Sequence, residues 1–266
     1  MWNIKEEDLN EFKSTCKNRL SPDWATGFMF GTMFFISLIM FFLIVGLIRF
    51  GWSYYPTLFD KIIVSFELVF YSLQVIFLII YLFPKMSFKF QKLQTLVVLL
   101  YAFQLGTITF TILIIPGMSN YSIDQITLMY VGLLFLGAVI LHILATIDTF
   151  RQASKGAFST EEKSSTFFSN TKRNAIKCAV IYVLTLLILI YVHNDYTLKI
   201  LGLYAGGTLI MYAVAVGAAE FQLLAYCRFK FPSFSISWEE HEIERQEFLK
   251  RYKEREKEKE KEKEIK

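Results

Sequence analysis

Apolar residues run almost unbroken through six stretches of the chain, residues 24–50, 62–83, 93–115, 126–147, 175–192 and 198–227, and polar residues gather between them. Each stretch is close to the roughly 20 residues that an α-helix needs to cross a bilayer. The pattern therefore predicts an all-α, polytopic membrane protein with six transmembrane helices. Helix punctuation agrees. Ser21-Pro22-Asp23 supplies a capping hydroxyl, a proline in the first turn and an acid at the positive end of the dipole, while Pro84 and Pro116-Gly117 stop the second and third helices.

The sixth stretch organises the rest. At 100° per residue, Gly202, Gly206, Ala213, Gly217 and Glu220 fall within a sector of about 60°. Gly202-Leu-Tyr-Ala-Gly206 fits the small-xxx-small pattern that lets helix backbones approach closely in lipid. A carboxylate at mid-helix costs roughly 2.5–3.5 kcal/mol on insertion scales, so Glu220 is expected to turn toward protein and away from acyl chains. His142, predicted at a similar depth, is the candidate donor to it.

Two polar ends flank the helices. Residues 1–23 carry Leu9, Phe12, Cys16 and Leu20 at helical spacing, with Trp2 as an anchor, and predict an amphipathic segment lying along the headgroups. Residues 228–266 form a charged tail. Ser237-Trp-Glu-Glu240 fits a capping box that starts a helix running to about Tyr252, and the Lys/Glu alternation beyond it sets like charges at i,i+4, which weakens a helix. No secretory signal is read at the start, because Lys5, Glu6, Glu7, Asp8 and Glu11 break any apolar core.

Charge placement adds an orientation. Of 28 Lys and Arg, most lie in the N-terminal segment (Lys5, Lys13, Lys17, Arg19), the second and fourth connections (Lys85, Lys89, Lys92; Arg151, Lys155, Lys163, Lys172, Arg173) and the tail. The alternate connections hold only Arg49, Lys61 and Lys199. The positive-inside rule then puts both termini in the cytoplasm, with the protein expected in the cell (inner) membrane. Asn120-Tyr-Ser is a glycosylation sequon in a short connection predicted to lie outside.

Composition narrows the chemistry. With 54% hydrophobic residues, no segment is left to build a separate soluble core, and the cysteines Cys16, Cys178 and Cys227 are too few and scattered for a disulfide framework or zinc site. No phosphate-cradling loop or nucleophile elbow occurs, no His, Cys or acidic pair has metal-ligand spacing within one helix, and haem would need a second membrane histidine beside His142. No cofactor, metal or nucleic-acid partner is expected.

The buried polar candidates are Glu67 in the outer third, Gln104 near the middle, and His142 and Glu220 in the inner third. The leading expectation is a non-enzymatic subunit or accessory factor that docks a membrane-protein partner or a second copy of itself through the small face of the sixth helix. An alternative is a channel or transporter for a proton, ion or small solute that uses Glu67, His142 and Glu220. A third is a lipid-modifying enzyme relying on His142.

Overall fold

A computed structural model describes residues 2, 4–17, 20–55, 57–115, 124–159, 169–194, 198–243, 245–247 and 250–251. The sequon at Asn120 and the alternating Lys/Glu tail lie outside these residues. Among them the secondary structure is helical throughout, with no strand. A short helix α1 (Asn10–Lys17) precedes α2 (Pro22–Phe50) and α3 (Leu58–Tyr81). Then come α4 (Pro84–Lys89), α5 (Gln91–Ile114), α6 (Gln125–Ser154), α7 (Asn170–Asn194) and α8 (Leu198–Lys230). Six of these, all but α1 and α4, are long and apolar enough to cross a membrane.

Local chemistry sets the helix ends. Ser21 caps α2 by accepting from Trp24 N, with Pro22 in the first turn. Helix α3 starts four residues before the expected position. Thr57 and Asp60 form a reciprocal capping box, Asp60 N donating to Thr57 Oγ1 at 3.0 Å and Thr57 N to Asp60 Oδ2 at 3.2 Å. Helix α6 outruns its apolar stretch by two turns, because Asp148 is buried and accepts from Gln152 Nε2 (2.7 Å) and Ser169 Oγ (2.6 Å). Gly156, at φ +73°, then turns the chain out of the helix in a conformation that side chains resist.

Helices α5 and α8 form the central pair. Helices α2 and α3 pack on one flank of α5, and α6 and α7 lie on the other side, against α8. The outer helices α3 and α7 leave most of their surface exposed and apolar, as a bilayer requires. One notch fastens the α6–α7–α8 side. Gly137 of α6 lies under two tyrosine rings, and their hydroxyls donate to adjacent α6 carbonyls: Tyr182 to Leu133 O (2.9 Å) and Tyr212 to Leu134 O (3.0 Å).

The N-terminal segment and the stretch that follows α8 meet on one face of the bundle. Ile4, Leu9, Phe12, Cys16 and Leu20 pack against Ala153, Phe158, Leu223, Cys227 and Phe234, so the apolar face expected on headgroups is covered by protein. The chain after α8 is held by Gln91, whose amide pairs with the backbone of Ile236 in both directions (3.0 and 3.2 Å). The capping box at Ser237 and Glu240 forms, residues 238–243 are helical, and His241 reaches Asp23 at 3.1 Å.

Ser233 donates to the Glu6 carboxylate, and this bond, ahead of the nearby Lys13 ammonium, holds the Glu6 carboxyl below its ordinary 4.5. A depressed carboxyl stabilises the fold above its ordinary value and ceases to do so as pH falls through its lowered one. With Trp24, Trp52 and Trp238 replaced by Phe, Trp2 emission is expected to stay constant from neutral pH down to 4.5 and to change below it. Glu6→Ala should give the low-pH emission at neutral pH, and a wild-type transition well above 4.5 would count against this linkage.

Candidate functional site

The small face of α8 lies bare. Gly202, Gly206, Ala213 and Gly217 are all exposed, and a Cβ built on any of the three glycines meets nothing within 4 Å. The face of α8 that packs inside the chain is the opposite one, carrying Tyr204, Gly207, Met211, Ala215, Ala218 and Ala219. At Gly207 a Cβ would sit 3.1 Å from Thr109 Cγ2 and 3.4 Å from Leu113 Cδ1, so this glycine sets the close approach of α5. Sequence spacing singled out Gly206 and passed over its neighbour. In a Gly-Gly pair two faces 100° apart qualify, and only tertiary packing chooses between them. Helix α2 has a second bare pair, Gly27 and Gly31, that the sequence reading missed.

Glu67 and Gln104 do come together. Gln104 Nε2 donates to Glu67 Oε2 and to the Glu67 carbonyl, each at 3.0 Å, and Thr111 Oγ1 lies 3.1 Å from Glu67 Oε1. Both side chains are buried. The pair belongs to a longer seam. The buried residues of α3 are Asp60, Val64, Glu67, Gln74 and Tyr81, so four polar side chains recur every seventh residue and stay on one face. Helix α5 answers with Thr111, Gln104, Tyr101 and Gln94. Tyr101 donates to the Gln74 carbonyl (2.6 Å), and Gln94 Nε2 to Thr26 Oγ1 and Pro22 O (both 2.9 Å). The seven-residue repeat was present in the sequence, and Gln74 and Tyr81 were the members it could have disclosed.

His142 and Glu220 do not pair. His142 Nδ1 lies 2.8 Å from the Ala215 carbonyl and Nε2 lies 3.1 Å from Gln222 Nε2, whose Oε1 accepts from Thr146 Oγ1 at 2.7 Å. This chain is self-consistent with a neutral imidazole: Nδ1–H donates to the carbonyl, and Nε2 accepts from the Gln222 amide. Gln222 lies two positions after Glu220, and it has the helical phase to meet His142. Glu220 is half-buried and lies near the buried Lys172, on which both Glu220 and the buried Asp148 act. Lys172 had counted only as a loop charge. It is the third residue of α7, tucked inside by the Ser169 cap that accepts from its backbone N–H at 3.0 Å.

The four candidates therefore divide into two groups, Glu67–Gln104 between α3 and α5, and His142 and Glu220 among α6, α7 and α8. Phe103 fills the space next to His142, ring centroids 5.3 Å apart. A further polar centre, missed in the sequence, closes the face where the N-terminal segment meets the stretch after α8. Arg228 is 0% exposed, and its guanidinium donates to Thr95 Oγ1 (2.7 Å), Leu20 O (3.0 Å) and Gln91 O (3.3 Å), tying α8 to α5 and to the N-terminal segment.

Helical content and six apolar spans define the class: an all-α, multi-pass integral membrane protein. Compared with known proteins, the chain matches no family model, no curated protein sequence and no solved structure.

Proposed function

We propose that the protein is a non-catalytic subunit or accessory factor of a membrane assembly, and that it docks a neighbouring transmembrane helix on α8. The observation that carries this reading is the bare stripe of Gly202, Gly206, Ala213 and Gly217, exposed along the central helix of the bundle. In lipid, hydrophobicity gives helices no reason to associate, and close backbone packing at small residues does. A glycine stripe facing acyl chains forgoes that packing, whereas one facing a partner helix gains it. In this reading both termini lie in the cytoplasm, following the Lys and Arg placement, and the protein resides in the cell membrane. The charged sequence of the C-terminal tail offers a soluble partner a place to bind.

The test is the mass and composition of the assembly extracted gently from its native membrane. Wild-type protein should migrate as a complex of fixed stoichiometry. Gly206→Leu and Gly217→Leu should each reduce that complex at least tenfold, and Gly132→Leu on α6, an equally open glycine without a small residue one turn away, should leave it intact. Equal tolerance of all three substitutions would refute the proposal.

A further inference from the structure

We infer that Glu67 is a proton-binding carboxyl, neutral in this structure, that exchanges its proton with the face holding the N-terminal segment through water held along the α3–α5 seam. The inference is independent of the docking face on α8. It begins with the surroundings of the carboxyl. Thr111 Oγ1 donates to Glu67 Oε1 at 3.1 Å and lies 2.9 Å from the Thr107 carbonyl. Both hydrogens of the Gln104 amide are already committed, to Glu67 O and Oε2.

Burial sets the state of the carboxyl. Glu67 is 3% exposed inside a membrane-spanning helix, and its partners among the described residues, Gln104, Thr107 and Thr111, are uncharged. The titratable groups on helices α2, α3 and α5 are Asp60, Lys61, Tyr71 and Tyr81 on α3, Lys92 and Tyr101 on α5, and Asp23 and Arg49 near the ends of α2; among the described contacts none bonds to the Glu67 side chain or forms an ion pair with it. A carboxylate stranded there would carry the full cost of a buried charge, whereas a carboxylic acid carries little.

A route for the proton follows the heptad. Seven residues of helix rise about 10.5 Å, and one such step from Glu67 brings Gln74. Gln74 is 0% exposed, and neither its Nε2 nor its Oε1 has a protein partner. The Tyr101 hydroxyl bonds to the Gln74 backbone carbonyl and leaves the amide unserved. Oε1 of Gln104 on one side and Oε1 of Gln94 on the other are also buried without partners. Buried amides without partners are where internal water is found, since each water satisfies two to four such groups. Beyond Gln94 the seam continues through Thr26 and Ser87, whose hydroxyls lie 3.3 Å apart, to α4 at the face that carries the N-terminal segment.

Two measurements on the full chain in liposomes test this. Infrared spectra at neutral pH should show a protonated-carboxyl band that shifts in heavy water and is absent from Glu67→Gln, which keeps the size of the side chain. The rate of that shift after transfer to heavy water reads the exchange of the Glu67 proton with solvent. Gln74→Leu should slow the shift at least tenfold while keeping the infrared band, which shows that the site still folds. The inference is overturned if no carboxyl band is lost in Glu67→Gln, or if the band shifts equally fast in wild type and Gln74→Leu.

Discussion

Gly137→Ala should destabilise the α6–α7–α8 side of the bundle more than any other single methyl group added to a glycine of the described chain. The new Cβ would collide with the Tyr212 hydroxyl and lie 2.6 Å from Tyr182 Cε1. Relief requires both rings to withdraw, and their hydrogen bonds to Leu133 O and Leu134 O go with them. Overpacking costs about 1–3 kcal/mol and each lost hydrogen bond about 1 kcal/mol, so the expected loss is roughly 3 kcal/mol. For a chain of this size that lowers an apparent Tm by roughly 10 °C. A second substitution identifies the cause. Tyr212→Phe removes the hydroxyl nearest the new methyl, so the double variant should recover part of the loss, although Tyr212→Phe alone is destabilising. Failure of that rescue in thermal unfolding of the purified protein would show that the ring contact is not what makes Gly137 necessary.

Arg228→Met should have an effect of similar size at the face where the N-terminal segment meets the stretch after α8. The guanidinium joins α8, α5 and the N-terminal segment through Thr95, Gln91 and Leu20, and all three acceptors are uncharged. Methionine fills much of the space of the arginine stem but leaves the Leu20 carbonyl without this donor. Thr95 loses less, since its hydroxyl also donates to Gln91 O at 2.8 Å. Hydrogen bonds to a charged group are worth about 1.5–3 kcal/mol each, giving an expected loss of roughly 3 kcal/mol. Arg228→Lys should be nearly as damaging, because one ammonium does not reproduce a planar fork that reaches both α5 and Leu20. The check is thermal unfolding together with hydrogen exchange in residues 7–17, which should rise in both variants. Unchanged exchange there would mean that Arg228 does not hold the N-terminal segment in place.

The six spans were legible because hydrophobicity over about 20 residues is a strong signal and lipid leaves the backbone few alternatives to a helix. Their ends were less so. Asp60 and Asp148 look like loop residues by polarity, yet the first belongs to a capping box inside α3 and the second is buried near the end of α6 by partners on other segments. The candidate site was legible in part. Glu67 and Gln104 pair, as two buried polar groups on neighbouring helices in lipid should. Depth alone could not pair His142 correctly, because depth says nothing of helix rotation, and Gln222 has the rotation that Glu220 lacks. Lys172 and Arg228 were hidden because the positive-inside rule treats every basic residue near a helix end as solvated, and these two are buried.

The stripe on α8 is tested most directly by cross-linking in the native membrane. In a Cys178→Ser background, which leaves only the buried Cys16 and Cys227, a cysteine is placed at Gly206 on α8 or at Ile188 on the exposed surface of α7 and labelled with a photoactivatable reagent. The proposed function predicts one cross-linked product of fixed mass from Gly206→Cys, strongly reduced by Gly217→Leu, and only lipid adducts from Ile188→Cys. Lipid adducts alone from both positions would contradict it.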